Sequence, residues 1–298
     1  MISIIAPSYN SEHTIANCLD SLINQSWTRE YEIIVVDSSI DKTPEIVADY
    51  GFAGITFVHL DKKTDPGTAR NIGIGRAKGD VIAFIDSDCI AAPDWLERIA
   101  LAHDSSYNVV GGVVHNANDG SDLVALAGYL AEFRDFLPGQ PCRTVAHIPT
   151  CNISYKRTIF EKHGLFDGRY YPQEDLVFNY HLGRNGEKIL LDPSIRVSHH
   201  HRSSFSGFLA HQQKIGKITS SVLKIVDLEG SFIVKNPYWG FMFLPLLPLI
   251  KFVRTVSVFL HRCPGLIIRR PLVLVYLGIG LTYWVRGFAQ GIYGKSPH

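Results

Sequence analysis

The chain has 298 residues, 46% hydrophobic and 19% charged, which is enough apolar material for one large domain with an appendage or for two domains. A formal net charge of +1 and the lack of basic, aromatic-interleaved strands exclude bulk attraction to nucleic acid. The charge is unevenly placed: all 28 acidic residues lie at or before Glu229, and Lys235, Lys251, Arg254, Arg262, Arg269, Arg270, Arg286 and Lys295 follow unopposed.

Residues 2–6 (ISIIA) predict a first buried strand, with Pro7, Ser8, Tyr9 and Asn10 as the loop at its carboxyl end. The segment has no basic start and its apolar run stops at Pro7, so it reads as a strand and not as a signal peptide. Asn10 or Ser11 can cap a helix over 12–24, where Ile15, Cys18, Leu19 and Leu22 fall at helical spacing. Residues 31–36 (YEIIVV) predict a second strand ending in Asp37, and Lys42-Thr43-Pro44 opens another helix. A third strand over 55–60 and a helix over 68–77 lead into VIAFIDSD at 81–88. There five apolar residues run into Asp86 and Asp88, as in a strand buried on both faces. Alternating strands and helices predict right-handed βαβ units and a mainly parallel, Rossmann-like sheet. No G-x-G-x-x-G follows the first strand, which excludes a dinucleotide.

The pattern is less regular from 93 to about 202. It predicts helices over 95–102, 123–136 and 176–184, strands over 109–114, 188–191 and 195–199, and a short strand and turn within 153–163. The expected organisation is an α/β domain over 1–205, made of a nucleotide-binding half (1–100) and an acceptor half (101–205), then a helical region over 206–298. That tail holds two apolar segments, 241–260 and 272–285. Lys251 and Arg254 interrupt the first, and the second has roughly 14 apolar residues, short of a span. A two-span hairpin would also carry Arg262, Arg269 and Arg270 across the bilayer. The expectation is therefore two helices in the membrane interface with snorkelling basic side chains, at the cytoplasmic face of the inner (plasma) membrane. A soluble helical hairpin is the alternative. Five widely spaced cysteines without a C-x-x-C pair fit reduced thiols there.

Parallel strands bring the loops at Pro7 to Asn10, at Asp37, at Asp86 to Asp88 and at His199 to one sheet edge, where ligands bind in open α/β folds. Asp86 and Asp88 repel each other unless a cation, or a cation carrying phosphates, lies between them; a solvated acidic turn is the alternative. Oxygen ligands select Mg²⁺ or Mn²⁺, with Asp88 as ligand and Asp86 on a ribose or assisting. His199, at a strand end, is a candidate third ligand that favours Mn²⁺, although His199, His200 and His201 also fit a surface patch. Asp37 can accept from a base or ribose, and Asp41 can assist or cap the next helix. Arg70, early in a helix after Pro66-Gly67, can reach a pyrophosphate or lie solvated on the surface. Glu174 and Asp175 open a helix after an aromatic stretch. One carboxylate suffices as a cap, so Asp175 is assigned as general base with Glu174 orienting it or the acceptor.

Taken together, PSYN (7–10), VVDSSIDKT (35–43), PGTARNIG (66–73), GDVIAFIDSD (79–88), QEDLVFNYHLGRNG (173–186) and the histidine after the last strand resemble family 2 glycosyltransferases of the GT-A fold. The resemblance covers about residues 2–205. It implies inverting transfer of a sugar from a nucleoside-diphosphate sugar of UDP or GDP type to a glycan or lipid-linked acceptor. Asp37 would then face the base, Asp86 the ribose, Asp88 the divalent metal, and Asp175 the acceptor proton. Ser38 replaces the second acidic residue usual after Asp37. His211-Gln212-Gln213-Lys214-Ile215 lacks the Q-x-x-R-W of processive members, so single additions are expected. The competing expectations are a polyprenyl-phosphate glycosyltransferase and a non-catalytic nucleotide-sugar or glycan-binding protein. A nucleotidyltransferase would need a Gly-rich basic loop after the first strand, which PSYNSEHT is not.

Overall fold

The computed structural model describes residues 1–51 and 54–293; Lys295 and the end of the expected 206–298 region lie outside them. Among the described residues one sheet holds nine strands. They are β1 (Ile2–Ser8), β2 (Tyr31–Asp37), β3 (Ile55–His59), β4 (Val81–Phe84), β5 (Cys89–Ala91), β6 (Val109–Asn116), β7 (Arg143–Val145), β8 (Ile153–Lys156) and β9 (Ile189–His199). The order is β3-β2-β1-β4-β8-β6-β9-β5, with β7 on β9. β1 pairs in parallel with β2 and β4, and β2 with β3, as the alternation predicts. Beyond β4 the sheet is mixed: β8 is antiparallel to β4 and β6, β6 is parallel to β9, and β5 and β7 are antiparallel to β9. Every residue of β1 is buried, which is why its apolar run shows no alternation.

Helices α1 (Ile15–Ile23), α2 (Thr43–Ala48), α3 (Pro66–Arg76) and α4 (Trp95–His103) fall where the spacing places them. α1 buries Ile15, Cys18, Leu19 and Leu22, the four residues at helical spacing. Further along, α5 (Leu123–Glu132) stops short of residue 136, and α6 (Arg157–His163) takes the place of the expected turn. α7 (Glu174–Arg184) starts two residues early, and the two last strands are one, β9. β9 passes through Asp192-Pro193-Ser194 with a register shift against β6 between Gly111 and Val113. Gly112 sits at that shift, and a Cβ there would lie 1.7 Å from the Ile195 carbonyl oxygen, so only glycine fits.

The chain forms two compact units, residues 1–117 with 138–200, and residues 118–137 with 201–298. Residues 118–137, expected in the acceptor half, thus group with the C-terminal helices. The reason is that α5 is apolar nearly all round, with Ala125 to Leu130 buried, and needs helical neighbours. The second unit adds α8 (Phe205–Ile225), α9 (Ser231–Lys235), α10 (Pro237–Phe243), α11 (Leu247–Arg262), α12 (Pro264–Ile268) and α13 (Val273–Tyr293). α8 and α13 touch backbone to backbone: a Cβ on Gly216 would lie 1.9 Å from the Trp284 carbonyl oxygen, and one on Gly287 1.9 Å from that of Gln213. The second apolar segment of the tail therefore has one face in a helix–helix core. The stretch Tyr238–Arg262 is long and apolar enough to cross a membrane, with 11% of its most apolar window buried.

Candidate active site

Parallel pairing of β1 with β2 and β4 brings three strand ends to one edge of the first unit. The Ser38 N–H donates to the Ser8 carbonyl (3.1 Å), tying the first two loops together behind the buried Pro7. Asn10 adopts φ 51°, a left-handed conformation that Asn tolerates. Its N–H donates to Ser39 Oγ (2.7 Å) and its Oδ1 accepts the Ile40 N–H (3.1 Å). Tyr9 is half-buried, with Lys63 Nζ 4.0 Å above its ring.

Asp37 is fully buried. Its carboxylate accepts the Ser39 hydroxyl (2.5 Å) and N–H (3.0 Å), and His59 Nδ1 lies 2.7 Å from Oδ2. His59 stands opposite Asp37 in the β2–β3 register and keeps 37% of its side chain exposed. Sequence reasoning missed His59; the signal was its place at the end of the third strand, level with Asp37. Asp41 turns out to be a local cap. Its carboxylate accepts the Thr43 hydroxyl (2.6 Å) and N–H (3.0 Å) at the start of α2, and the Glu12 N–H (3.2 Å). Burial pushes its pKa up, but these hydrogen bonds outweigh burial and lower it.

Arg70 is neither solvated nor turned to an open phosphate position. It is 3% exposed, and its guanidinium donates from Nη1 to Glu174 Oε1 (2.7 Å) and from Nη2 to Asp86 Oδ1 (2.6 Å). Burial works against the Arg70 charge, but Asp86, Glu174 and Asp175 together hold its proton more firmly than usual. One cation faces three carboxylates, so charge is left over. Burial lifts Glu174 to about 7 against the pull of Arg70, with Asp175 adding repulsion. Asp86 also rises, by burial first and by Asp88 after the opposing Arg70. Glu174 therefore binds Arg70, where the sequence had it orient Asp175 or the acceptor.

Asp88 and His199 meet because β5 pairs with β9 and sets Cys89 opposite His199. His199 Nε2 lies 3.4 Å from Asp88 Oδ1, and the His200 N–H donates to the Asp88 carbonyl (2.8 Å). Of the three histidines it is His199 that faces the carboxylate; His201 belongs to the second unit and stands edge-on to Tyr129 and Phe133. Asp88, Cys89 and His199 offer ligand atoms within 4.8 Å of one another. Cys89 is a poor member: it is fully buried, and burial, with Cys151 and Asp88 beside it, pushes its thiol well above the usual range. The carboxylate of Asp88, 36% exposed, and the His199 imidazole suit a divalent cation of hard or borderline character that takes its other ligands from substrate and water.

Asp175 is partly exposed at the start of α7. Its Oδ2 accepts the Thr150 N–H (3.0 Å) and hydroxyl (3.3 Å), and its Oδ1 the Leu176 N–H (2.7 Å). These donors hold the carboxylate in place, and Tyr155 is near enough to feel its charge. Thr150, 25 residues upstream, was not legible as its partner.

The sequence model described as "Glycosyl transferase family 2" matches residues 3–164, more than half of the chain. The chain belongs to this family. It is a glycosyltransferase, and its sheet with flanking helices is the GT-A fold. EpsH of Bacillus subtilis (strain 168) is 28% identical to this glycosyltransferase over 260 residues, covering 79% of the chain and 70% of EpsH. A Methanococcus voltae protein is 25% identical over 98% of the chain and 97% of its own length. It is named dolichyl N-acetyl-alpha-D-glucosaminyl phosphate 3-beta-D-2,3-diacetamido-2,3-dideoxy-beta-D-glucuronosyltransferase. Among solved structures, the mannosyltransferase PcManGT from Pyrobaculum calidifontis in complex with GDP-Man and Mn²⁺ aligns with a TM-score of 0.64 at 17% identity. The alignment covers 99% of this glycosyltransferase and 87% of that chain, a likeness of fold.

Proposed function

We propose that this glycosyltransferase is inverting, metal-dependent and non-processive. It would move a sugar from a nucleoside-diphosphate sugar of UDP or GDP type to a hydroxyl of a lipid-linked or envelope glycan, at the cytoplasmic face of the inner membrane. The observation that carries the reading is the meeting of Asp88 with His199 at the sheet edge where Arg70 holds Asp86. In this reading Asp37, with the half-open His59 on its carboxylate, faces the base. Asp86, pinned through Oδ1 and 30% exposed, receives the ribose; Arg70 positions it and does not touch phosphate. Asp88 and His199 would hold Mn²⁺ or Mg²⁺, which when bound neutralises charge on the diphosphate.

Asp175 is the base. The Thr150 and Leu176 donors fix its carboxylate while it takes the acceptor proton. The acceptor oxygen forms its bond to the anomeric carbon as the bond to the diphosphate oxygen breaks on the opposite side, which inverts the centre. Glu174, 3% exposed and held by Arg70, cannot reach an acceptor. The name of the Methanococcus voltae relative describes transfer to a dolichyl phosphate-linked sugar, which supports a lipid-linked acceptor here. The test is nucleoside-diphosphate release from a panel of UDP- and GDP-sugars with Mn²⁺ or Mg²⁺. Turnover of at least one donor, lost in Asp88→Ala, is expected; no turnover of any donor, or an unchanged Asp88→Ala enzyme, overturns the reading.

A further inference from the structure

We propose that the outward face of α11, with α10 before it, is a docking surface that lies in the plane of one leaflet of an anionic membrane and does not cross it. This deepens the membrane-side reading above and rests on that reading only for location; its evidence comes from the second unit alone. A helix on a protein surface ordinarily turns its apolar stripe inward. In α11 large apolar side chains also face outward. Leu249 is 60% exposed, Ile250 53%, Val253 54% and Leu260 45%, while Thr255 and Phe259 are buried. At roughly 100° per residue the exposed four fall on one arc of the helix. Trp239 and Met242 extend the exposed apolar surface into α10. Exposed leucines scattered singly need no explanation, but a continuous run of large apolar side chains does.

Charge identifies the occupant. On the same helical wheel Arg254, Lys251 and Arg262 occupy the arc next to the apolar one; Arg254 Nη1 is paired with Glu229 (2.7 Å), while Arg262 and, after α12, Arg269 are exposed. No acidic residue follows Glu229 in the sequence. Lys251 lies with Nζ 4.0 Å over the Trp284 ring; burial first, then the Arg134 and Arg254 cations against the opposing Asp135 carboxylate, bring its pKa down to about 7. Arg262 and Arg269 thus remain as exposed cations beside the stripe, and lipid phosphates meet such cations at the depth where snorkelling basic side chains sit. A second protein surface would have to supply a matching apolar face and a row of carboxylates.

The opposite face of α11 shows why the helix lies flat. Phe259 packs edge-on against Tyr129 at 5.8 Å, Arg134 Nη1 lies 3.5 Å from Thr255 Oγ1, and Lys251 rests on Trp284. A crossing helix would either break these contacts or carry Arg134, Lys251 and Arg254 into hydrocarbon with it.

The experiment uses the full chain, sedimented with vesicles of phosphatidylcholine alone or mixed with phosphatidylglycerol, followed by alkaline carbonate extraction of the pellet. The expected result is sedimentation with the phosphatidylglycerol vesicles, weakened by salt, and release by carbonate. Leu249→Glu with Val253→Glu should lower vesicle binding by about tenfold or more. Arg262→Glu with Arg269→Glu should remove the preference for phosphatidylglycerol, and both variants should still release the nucleoside diphosphate from the nucleotide-sugar. Equal binding of both variants and wild type, retention after carbonate, or a dimer in light scattering that ignores vesicles each overturns the proposal. Loss of nucleotide-sugar turnover in the wild type refutes the reading of the first unit instead and leaves the vesicle result standing.

Discussion

Replacing Arg70 with methionine removes the one guanidinium that faces Asp86 and Glu174 at 2.6 and 2.7 Å. Methionine fills similar space, so the main effect is electrostatic: buried carboxylates lose their partner. Breaking a buried pair by removing one member costs roughly 3–5 kcal/mol. For a unit of this size that corresponds to a fall in Tm of about 6–20 °C. The loss should depend on pH. In the folded protein Glu174 sits at about 7 against an ordinary 4.5, so the folded state binds more protons than the unfolded one between those values. Its contribution to stability is complete below pH 4.5 and is lost as pH rises through about 7. Without Arg70 the folded pKa rises further, so the deficit of Arg70→Met should widen from pH 5 to pH 8. Thermal unfolding of both proteins at the two pH values measures this. A deficit below about 1 kcal/mol, or one equal at both pH values, would refute the claim that Arg70 holds an excess of buried negative charge.

Asp175→Asn should keep nucleotide-sugar affinity and lower transfer to a hydroxyl by roughly 10²–10⁴-fold, measured as acceptor-dependent nucleoside-diphosphate release. Near-normal transfer would instead point to a phosphate acceptor. His103 is buried against Ser154 at 2.9 Å, and burial first, then Lys156, lowers its pKa from 6.5 to about 4. Its contribution to stability is therefore present above pH 6.5 and lost as pH falls to 4. His103→Gln should flatten that acid slope by on the order of 3 kcal/mol in urea titrations. Gly112→Ala would place a Cβ 1.7 Å from the Ile195 carbonyl, so it should lose about 1–3 kcal/mol or fail to fold, seen as a lower Tm. An unchanged Tm would mean that β6 and β9 can separate at the register shift.

The strands β1 to β4 and their helices were legible because each is a long run with one period, and parallel pairing fixes where their loops go. Asp86 and Asp88 followed from that placement. Short edge strands carry too few residues to show a period, which hid β5 and β7, and with β5 the pairing that sets Cys89 beside His199. Arg70 was misread for a different reason. An arginine early in a helix is usually solvated, and its burial depends on Glu174, 104 residues away. Asp41 had two readings, and the hydroxyl of Thr43 two residues on was the local signal for the cap. In the tail, composition showed an apolar, basic region. Which face of α11 is outward depends on Tyr129 and Phe259, whose meeting no spacing encodes.

The central claim, that Asp88 and His199 hold a divalent ion beneath a nucleoside diphosphate, is tested most directly by calorimetric titration of the nucleotide-sugar with and without Mn²⁺, in wild type and Asp88→Ala. Binding to the wild type should tighten by about tenfold or more when Mn²⁺ is present, and Asp88→Ala should lose that gain while keeping the metal-free affinity. Affinities that ignore Mn²⁺ in both proteins would contradict it.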